Sequence, residues 1–167
     1  MHVREVREDE RAWLRATLRE RWGGEGIVVG RGRVRKPDEL PALVAVDESG
    51  KRVGLATYVV EGNTAELVTI DALRAAAGVG RRLLEAVAGA ARAAGLTRLL
   101  VMTTNDNLAA LRFYQRAGFR LTELRAGAVD EARSLKPSIA ATGSDGIPIR
   151  DELDLVLDLG ARPTMLK

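Results

Sequence analysis

Apolar and polar residues alternate in the first half of the chain in a way that predicts one helix followed by a series of antiparallel strands. A short strand is expected at 2–7, and apolar residues then recur at helical spacing to about residue 21, where several glycines end the pattern. Further strands are predicted at 27–34, 42–46, 53–61 and 64–73. Residues 48–51 and the pair Gly62 and Asn63 have the composition of tight hairpin turns between these strands.

The period changes in the second half, where helices alternate with strands. Apolar residues from Val79 to Ala91 share one face of a predicted helix that Gly95 ends. A buried strand is predicted at 96–103, a second amphipathic helix at 108–117, a strand at 119–125, a short helix at 127–135 and a half-buried final strand at 151–159. This order predicts a single α/β domain over 1–167, with a mixed, mostly antiparallel central sheet flanked by helices.

Composition narrows the chemistry. The chain has no cysteine and one histidine, at position 2, so disulfides, metal sites built on Cys or His, Cys nucleophiles and Ser-His-Asp triads are excluded and no metal is expected. No apolar run reaches the ~18 residues of a membrane span and no signal peptide opens the chain, which predicts a cytoplasmic protein without a membrane partner. The net charge is +3, the arginines are scattered and aromatic residues make up only 4%, so no nucleic acid is expected.

A glycine turn lies between the strand predicted at 64–73 and the helix after it. Glycines at such a junction allow a phosphate to approach the backbone N–H groups at the start of the helix. A dinucleotide fingerprint would need glycine where Leu83 stands, and a nucleoside-triphosphate loop would need Lys and Ser or Thr where Arg81 and Arg82 stand. Gly78 and Gly80 are compatible with a pyrophosphate bound by amides alone, or with a tight turn that binds nothing.

A second motif decides between these readings, because it follows the turn at a fitting distance. Its characteristic residues are Asn107, Ala110, Phe113, Tyr114, Gly118 and Phe119. Together the two motifs resemble the Gcn5-related N-acetyltransferase (GNAT) superfamily, and the resemblance covers about residues 2–125. One departure is Ala75, which stands where the family has Arg or Gln, while Arg74 is one place off.

The resemblance implies that acetyl-CoA is the co-substrate. The pantetheine arm would pair with the backbone of the strand before the turn, at Ile70, Asp71, Ala72 and Leu73. The pyrophosphate would contact the amides of Gly78, Val79, Gly80 and Arg81, and Asn107 would hydrogen-bond the pantetheine arm. Because the pyrophosphate contact uses backbone groups, Ala75 weakens the expected binding without changing its mode.

The resemblance also implies catalytic roles. Tyr114 is similar to the family's general acid for the leaving thiolate, and it lies two helical turns from Asn107 on the same face. Glu66 is similar to the general base of histone-type members, with Asp71 and then Glu61 as weaker candidates for that role. A rival function on the same fold is a non-catalytic acyl-CoA-binding sensor, in which Tyr114 and Glu66 would be dispensable.

The acceptor is expected to be a primary amine of a small molecule or protein. In this fold, the acceptor groove is formed by the first helix, the loop after it and the last two strands, here Trp22, 23–35 and 126–150. The last of these segments could be a lid, a dimer contact or a surface loop, and a homodimer is common for the fold. Near the final strand, Asp145, Asp151 and Glu152 either attract a cationic amine or are ordinary surface acids.

Overall fold

The computed structural model describes residues 1–74 and 78–160. Its strands are β1 (His2–Glu5), β2 (Val28–Gly30), β3 (Arg33–Arg35), β4 (Ala42–Val46), β5 (Arg52–Glu61), β6 (Thr64–Ala72), β7 (Arg98–Thr104), β8 (Arg120–Arg125) and β9 (Glu152–Asp158). Its α-helices are α1 (Arg11–Trp22), α2 (Val79–Ala93), α3 (Leu108–Arg116) and α4 (Ala128–Leu135). No helix in these ranges is long and apolar enough to span a membrane.

Seven of the strands form one sheet in the order β1-β4-β5-β6-β7-β9-β8. Every neighbouring pair is antiparallel except β6 and β7, which run parallel because α2 connects them as a crossover. The predicted mixed, mostly antiparallel sheet is therefore confirmed.

Residues 27–34, predicted as one strand, instead form the two-stranded hairpin of β2 and β3. Gly30 pairs with Arg33, so Arg31 and Gly32 are the two turn residues, with φ of 55° and 69°. Two consecutive positive φ angles are typical of a type I′ turn, in which glycine is favoured and arginine is uncommon. The prediction was wrong because the apolar and basic alternation on both sides of the turn has the same period as one continuous strand.

Helices cover both faces of the sheet. α2 buries Val79, Leu83 and Val87 in a core cluster that also contains Tyr114 from α3. On the other face, Leu14 and Leu18 of α1 pack against β4 and β5. Burial of a leucine or valine side chain contributes about 1.5–3 kcal/mol to stability, so these contacts hold α1 and α2 against the sheet.

A β-bulge interrupts β6 at Val68. Leu67 pairs with Tyr58 of β5 and Thr69 pairs with Thr57, which leaves Val68 as the extra residue between them. Residues three apart on a regular strand lie on opposite faces, yet Leu67 and Ile70 both pack against the core cluster of α2. The bulge therefore shifts the alternation by one residue and bends the strand.

Candidate active site

β6 and β7 separate at the bulge. Their parallel pairing runs from Thr64 with Arg98 to Leu67 with Val101 and ends there, although β6 continues to Ala72. Residues 68–72 of β6 thus have no strand partner on the β7 side, and their backbone groups on that side are available to another extended chain. Ile70, Asp71 and Ala72, the backbone sites predicted from the sequence, all lie on this unpaired edge, and Leu73 follows it.

The glycine turn begins α2 beside this edge. Gly78 is the N-cap residue with φ of 90°, a conformation that favours glycine, and its carbonyl accepts the bond from Arg82 N at 3.0 Å. The N–H groups of the first helical turn have no partner within a helix, so they can bind an anion. A Cβ on Gly80 would lie 3.6 Å from the ring of Phe113, which brings α3 to the same place. Ala75, where the family motif differs, lies outside the described residues.

Asn107 begins α3. Its Oδ1 accepts a hydrogen bond from Ala110 N at 3.1 Å, which makes it a helix cap, and its Nδ2 remains as the donor for a ligand. The capping role was not anticipated from the sequence, although Asn before a helix is a common signal for it.

Tyr114 lies under the sheet with 5% of its surface exposed. Its ring contacts those of Phe113 and Phe119, with centroid separations of 5.1 and 5.4 Å. Burial raises the pKa of the Tyr114 hydroxyl well above its ordinary value, and the charge of Asp71 adds to this effect. The hydroxyl therefore holds its proton more tightly than an exposed tyrosine does.

Asp71 is engaged by the end of α1. Trp22 Nε1 donates to its Oδ2 at 2.6 Å, and Arg21 Nε donates to its Oδ1 at 2.8 Å. Since both carboxylate oxygens accept hydrogen bonds, Asp71 anchors the unpaired end of β6 to α1. This environment favours an anchoring role for its side chain over the role of a base.

Glu66 lies on β6 just before the bulge, and Arg35 of β3 covers it. Arg35 Nη2 donates to Glu66 Oε2 at 2.7 Å, and Arg35 Nη1 donates to Glu61 Oε1 at 3.0 Å. Two of the three carboxylates considered as bases are thus bridged by one guanidinium. Sequence reasoning included Arg35 only as the end of the candidate groove segment 23–35 and did not predict its pairing with Glu66, because a pairing across 31 residues leaves no local signal.

A small cavity of about 20 Å³ opens beside this ion pair. It is lined by Val28, Gly30, Arg35, Glu66, Leu67, Val68 and Met102. The cavity lies where β6 and β7 separate, under the β2–β3 hairpin. The unpaired edge of β6 therefore begins at this cavity, and Glu66 is among its lining residues, whereas Tyr114 and the glycine turn are not.

Residues 4–119 match the family model described as Acetyltransferase (GNAT) family. The chain belongs to the GNAT acetyltransferase family. One relative is the uncharacterized protein YxbD of Bacillus subtilis (strain 168), which is 38% identical over 144 residues, or 86% of this chain and 90% of YxbD.

Solved structures agree on the fold. The IAA acetyltransferase from Bacillus cereus ATCC 14579 has a TM-score of 0.66 at 18% identity, covering 93% of this chain and 97% of that chain. A GNAT family acetyltransferase from Elizabethkingia anophelis with acetyl-CoA bound has a TM-score of 0.63 at 21% identity, covering 71% and 76%. At these identities the likeness shows the GNAT fold, and both the resemblance and the fold class predicted from the sequence are confirmed.

The final strand of this GNAT fold is more buried than its sequence suggested. Glu152 and Asp154, on its acidic face, are each 2% exposed because Arg125 of β8 pairs with both. Arg125 Nη2 and Nη1 donate to the two oxygens of Asp154 at 2.7 and 2.9 Å, and Nε donates to Glu152 at 3.0 Å. Glu152 also accepts from the backbone N of Arg31 at 2.9 Å. Glu152 is thus a buried anchor of the β2–β3 hairpin, and the interpretation as a surface acid was wrong.

Residues 126–150 are fixed to the rest of the GNAT fold by Lys136. Its Nζ donates to the carbonyls of Trp22 and Ile27, the latter at 2.8 Å. Burial lowers the pKa of Lys136 below its usual range. Arg133 also donates to the carbonyls of Ala140 and Ile149, so hydrogen bonds organise this segment internally. The segment forms a wall next to the end of α1 and the β2–β3 hairpin.

Proposed function

We propose that this protein is an N-acetyltransferase that moves the acetyl group of acetyl-CoA to a primary amine by direct attack. The observation that carries this proposal is the separation of β6 from β7 at Val68, which leaves one edge of β6 unpaired just before the glycine turn that begins α2. An extended ligand arm can pair with such an edge as an additional strand.

The residues present fit acetyl-CoA. Backbone groups of Ile70, Asp71 and Ala72 would pair with the pantetheine arm, which Asn107 Nδ2 would also contact. The N–H of Leu73 donates to the carbonyl of Val53 at 2.8 Å, so only the carbonyl of the predicted Leu73 could take part. The amides of Gly78, Val79, Gly80 and Arg81 would bind the pyrophosphate at the positive end of the α2 dipole. Only the backbone of Arg81 is expected to take part, since its side chain pairs with Glu85 at 2.8 Å on the surface. The described residues contain no group of three His, Cys, Asp or Glu side chains placed to hold a metal ion.

Acetyl-CoA, when bound, supplies an acetyl group that is activated as a thioester. Glu66 would take a proton from the acceptor ammonium, whose pKa is near ~10, so that the neutral amine attacks the thioester carbon. The nitrogen–carbon bond forms as the carbon–sulfur bond breaks, and a backbone N–H near Ile70 or Ala72 would stabilise the developing negative charge on oxygen. Tyr114 would donate its proton to the leaving sulfur, and the second proton that the nitrogen loses on forming the amide would return to Tyr114 through water.

The roles can be tested by thiol release from acetyl-CoA in the presence of a panel of primary amines. The proposal predicts release that depends on the amine and falls steeply in Tyr114→Phe and Glu66→Gln, while acetyl-CoA affinity is kept. Binding of acetyl-CoA without transfer to any amine would instead favour the non-catalytic acyl-CoA sensor. A single domain over 1–167, a cytoplasmic location and a homodimer stay predictions.

A further inference from the structure

The guanidinium of Arg35 has one nitrogen that its two carboxylate partners leave unused. Nη2 and Nη1 donate to Glu66 and Glu61, and the side chain is 15% exposed. Its Nε is buried, and within the ranges that the structure describes it is the one buried side-chain nitrogen or oxygen without a hydrogen-bond partner. A buried donor without a partner is unfavourable, so a water molecule or a ligand atom is expected to satisfy it.

This nitrogen belongs to a residue that lines the cavity at the β6 bulge, together with Glu66. A space of about 20 Å³ takes one group of the size of a water molecule. Gly30 allows the hairpin to lie this close, because a Cβ there would collide with the end of Met102. The hairpin thus presents Arg35 next to the part of β6 where the thioester is expected.

Glu66 offers the complementary group. Its Oε2 accepts from Arg35, whereas its Oε1 has no hydrogen-bond partner among the described residues. The cavity is therefore bordered by a residue with a free acceptor oxygen and a residue with a free N–H donor. The matching ligand has an ammonium or amine and, close to it, an oxygen that accepts a hydrogen bond.

We propose that the acceptor amine belongs to an aminoacyl group, in which a carbonyl oxygen follows the carbon that bears the nitrogen, and that Arg35 Nε donates to this oxygen. This inference rests on the proposed function and names the substrate class of that site. Arg35 determines specificity and also positions Glu66, since it binds Oε2 and leaves Oε1 without a partner among the described residues. A simple alkylamine leaves the Nε–H unsatisfied, so it is the poorer substrate.

The kinetic test compares L-alaninamide with 3-methylbutan-2-amine, which has the same shape but no carbonyl. The ratio of their kcat/KM values is measured in the wild type and in Arg35→Lys, so that the different basicities of the two amines cancel. Lysine keeps a positive charge beside Glu66 but lacks the Nε–H of the fork. We expect the ratio to fall by about 10-fold or more in Arg35→Lys, and a ratio that stays within about 2-fold would overturn the inference.

Arg33→Lys is the matched control. Arg33 lies on the same strand and also pairs with Glu61, but its side chain is 55% exposed and its residue does not line the cavity. The ratio should stay unchanged in this variant. An equal fall of the ratio in both variants would show that the preference for L-alaninamide depends on the arginines of the β2–β3 hairpin in general and not on the Arg35 Nε–H. That result would also overturn the inference.

A binding measurement separates this inference from the proposed function. The Nε–H signal of Arg35, assigned by its loss in Arg35→Lys, is followed by NMR in the wild type saturated with CoA. L-Alaninamide should move the signal downfield and slow its exchange with water, whereas 3-methylbutan-2-amine should not. Equal effects of both amines, or no effect of either at concentrations that shift other signals, would overturn the inference. This readout needs no acetyl transfer, so failure of turnover contradicts the proposed function alone.

Discussion

Replacing Arg125 by alanine is expected to destabilise the fold strongly. The side chain binds Glu152 and Asp154, each 2% exposed, so its loss leaves Glu152 without its cation and Asp154 with only the longer ion pair to Arg31 at 3.4 Å. Breaking a buried ion pair by removing one partner costs about 3–5 kcal/mol. Arg125 itself keeps 22% of its side chain exposed, and water can enter the space, so we expect the lower end, about 3 kcal/mol.

The free energy of unfolding is measured by urea denaturation, and the midpoint of thermal unfolding should fall by about 6–12 °C for a chain of this length. Arg120→Ala is the matched control, since Arg120 lies on the same strand but is exposed, and it should change stability by less than about 0.5 kcal/mol. Arg125→Lys should be intermediate, because lysine keeps the charge without the bidentate geometry. An Arg125→Ala variant as stable as Arg120→Ala would refute the reasoning.

Three further predictions address the site and the fold. Tyr114→Phe should lower kcat by about 10²-fold or more at unchanged acetyl-CoA affinity and unchanged Tm, since the hydroxyl has no partner in the described ranges; loss of stability would favour a purely structural tyrosine. Gly78→Ala should lower the free energy of unfolding by about 1 kcal/mol, because φ of Gly78 is 90°. Gly89→Ala should raise it by about 0.5–1 kcal/mol, because Gly89 lies within α2 and has open space around it. Equal urea midpoints of the two variants would contradict this. The hydrogen bond from Arg4 lowers the pKa of Glu10 to about 2. About 1–2 kcal/mol of stability that is present above pH ~4.5 should therefore be lost as the pH falls toward 2. Glu10→Gln should make stability depend less on pH in this range.

Local signals predicted most of the elements. The apolar spacing from Val79 to Ala91 and the glycine at 95 identified α2, and the stretch from Asn107 to Phe119 identified α3 with Tyr114 on its buried side. These predictions succeeded because each depends on residues within a few turns of one another.

Long-range pairings were not predictable in the same way. The bulge at Val68 is visible only in the pairing of β6 with β5, and no residue type within β6 indicates it. The acidic face of β9 is buried because Arg125 lies 27 residues earlier in the chain and one strand away in space. Arg35 reaches Glu66 only because Arg31 and Gly32 turn the chain into a hairpin, which the uniform alternation of 27–34 concealed.

Isothermal titration of acetyl-CoA is the most direct test of the proposal that this ligand binds where β6 and β7 separate. The wild type is compared with Gly80→Glu, which places a carboxylate at the start of α2, and with Gly89→Glu, which places the same charge at an exposed position of that helix. We expect micromolar binding by the wild type and by Gly89→Glu, and its loss in Gly80→Glu. No binding by the wild type, or equal binding by Gly80→Glu, would contradict it.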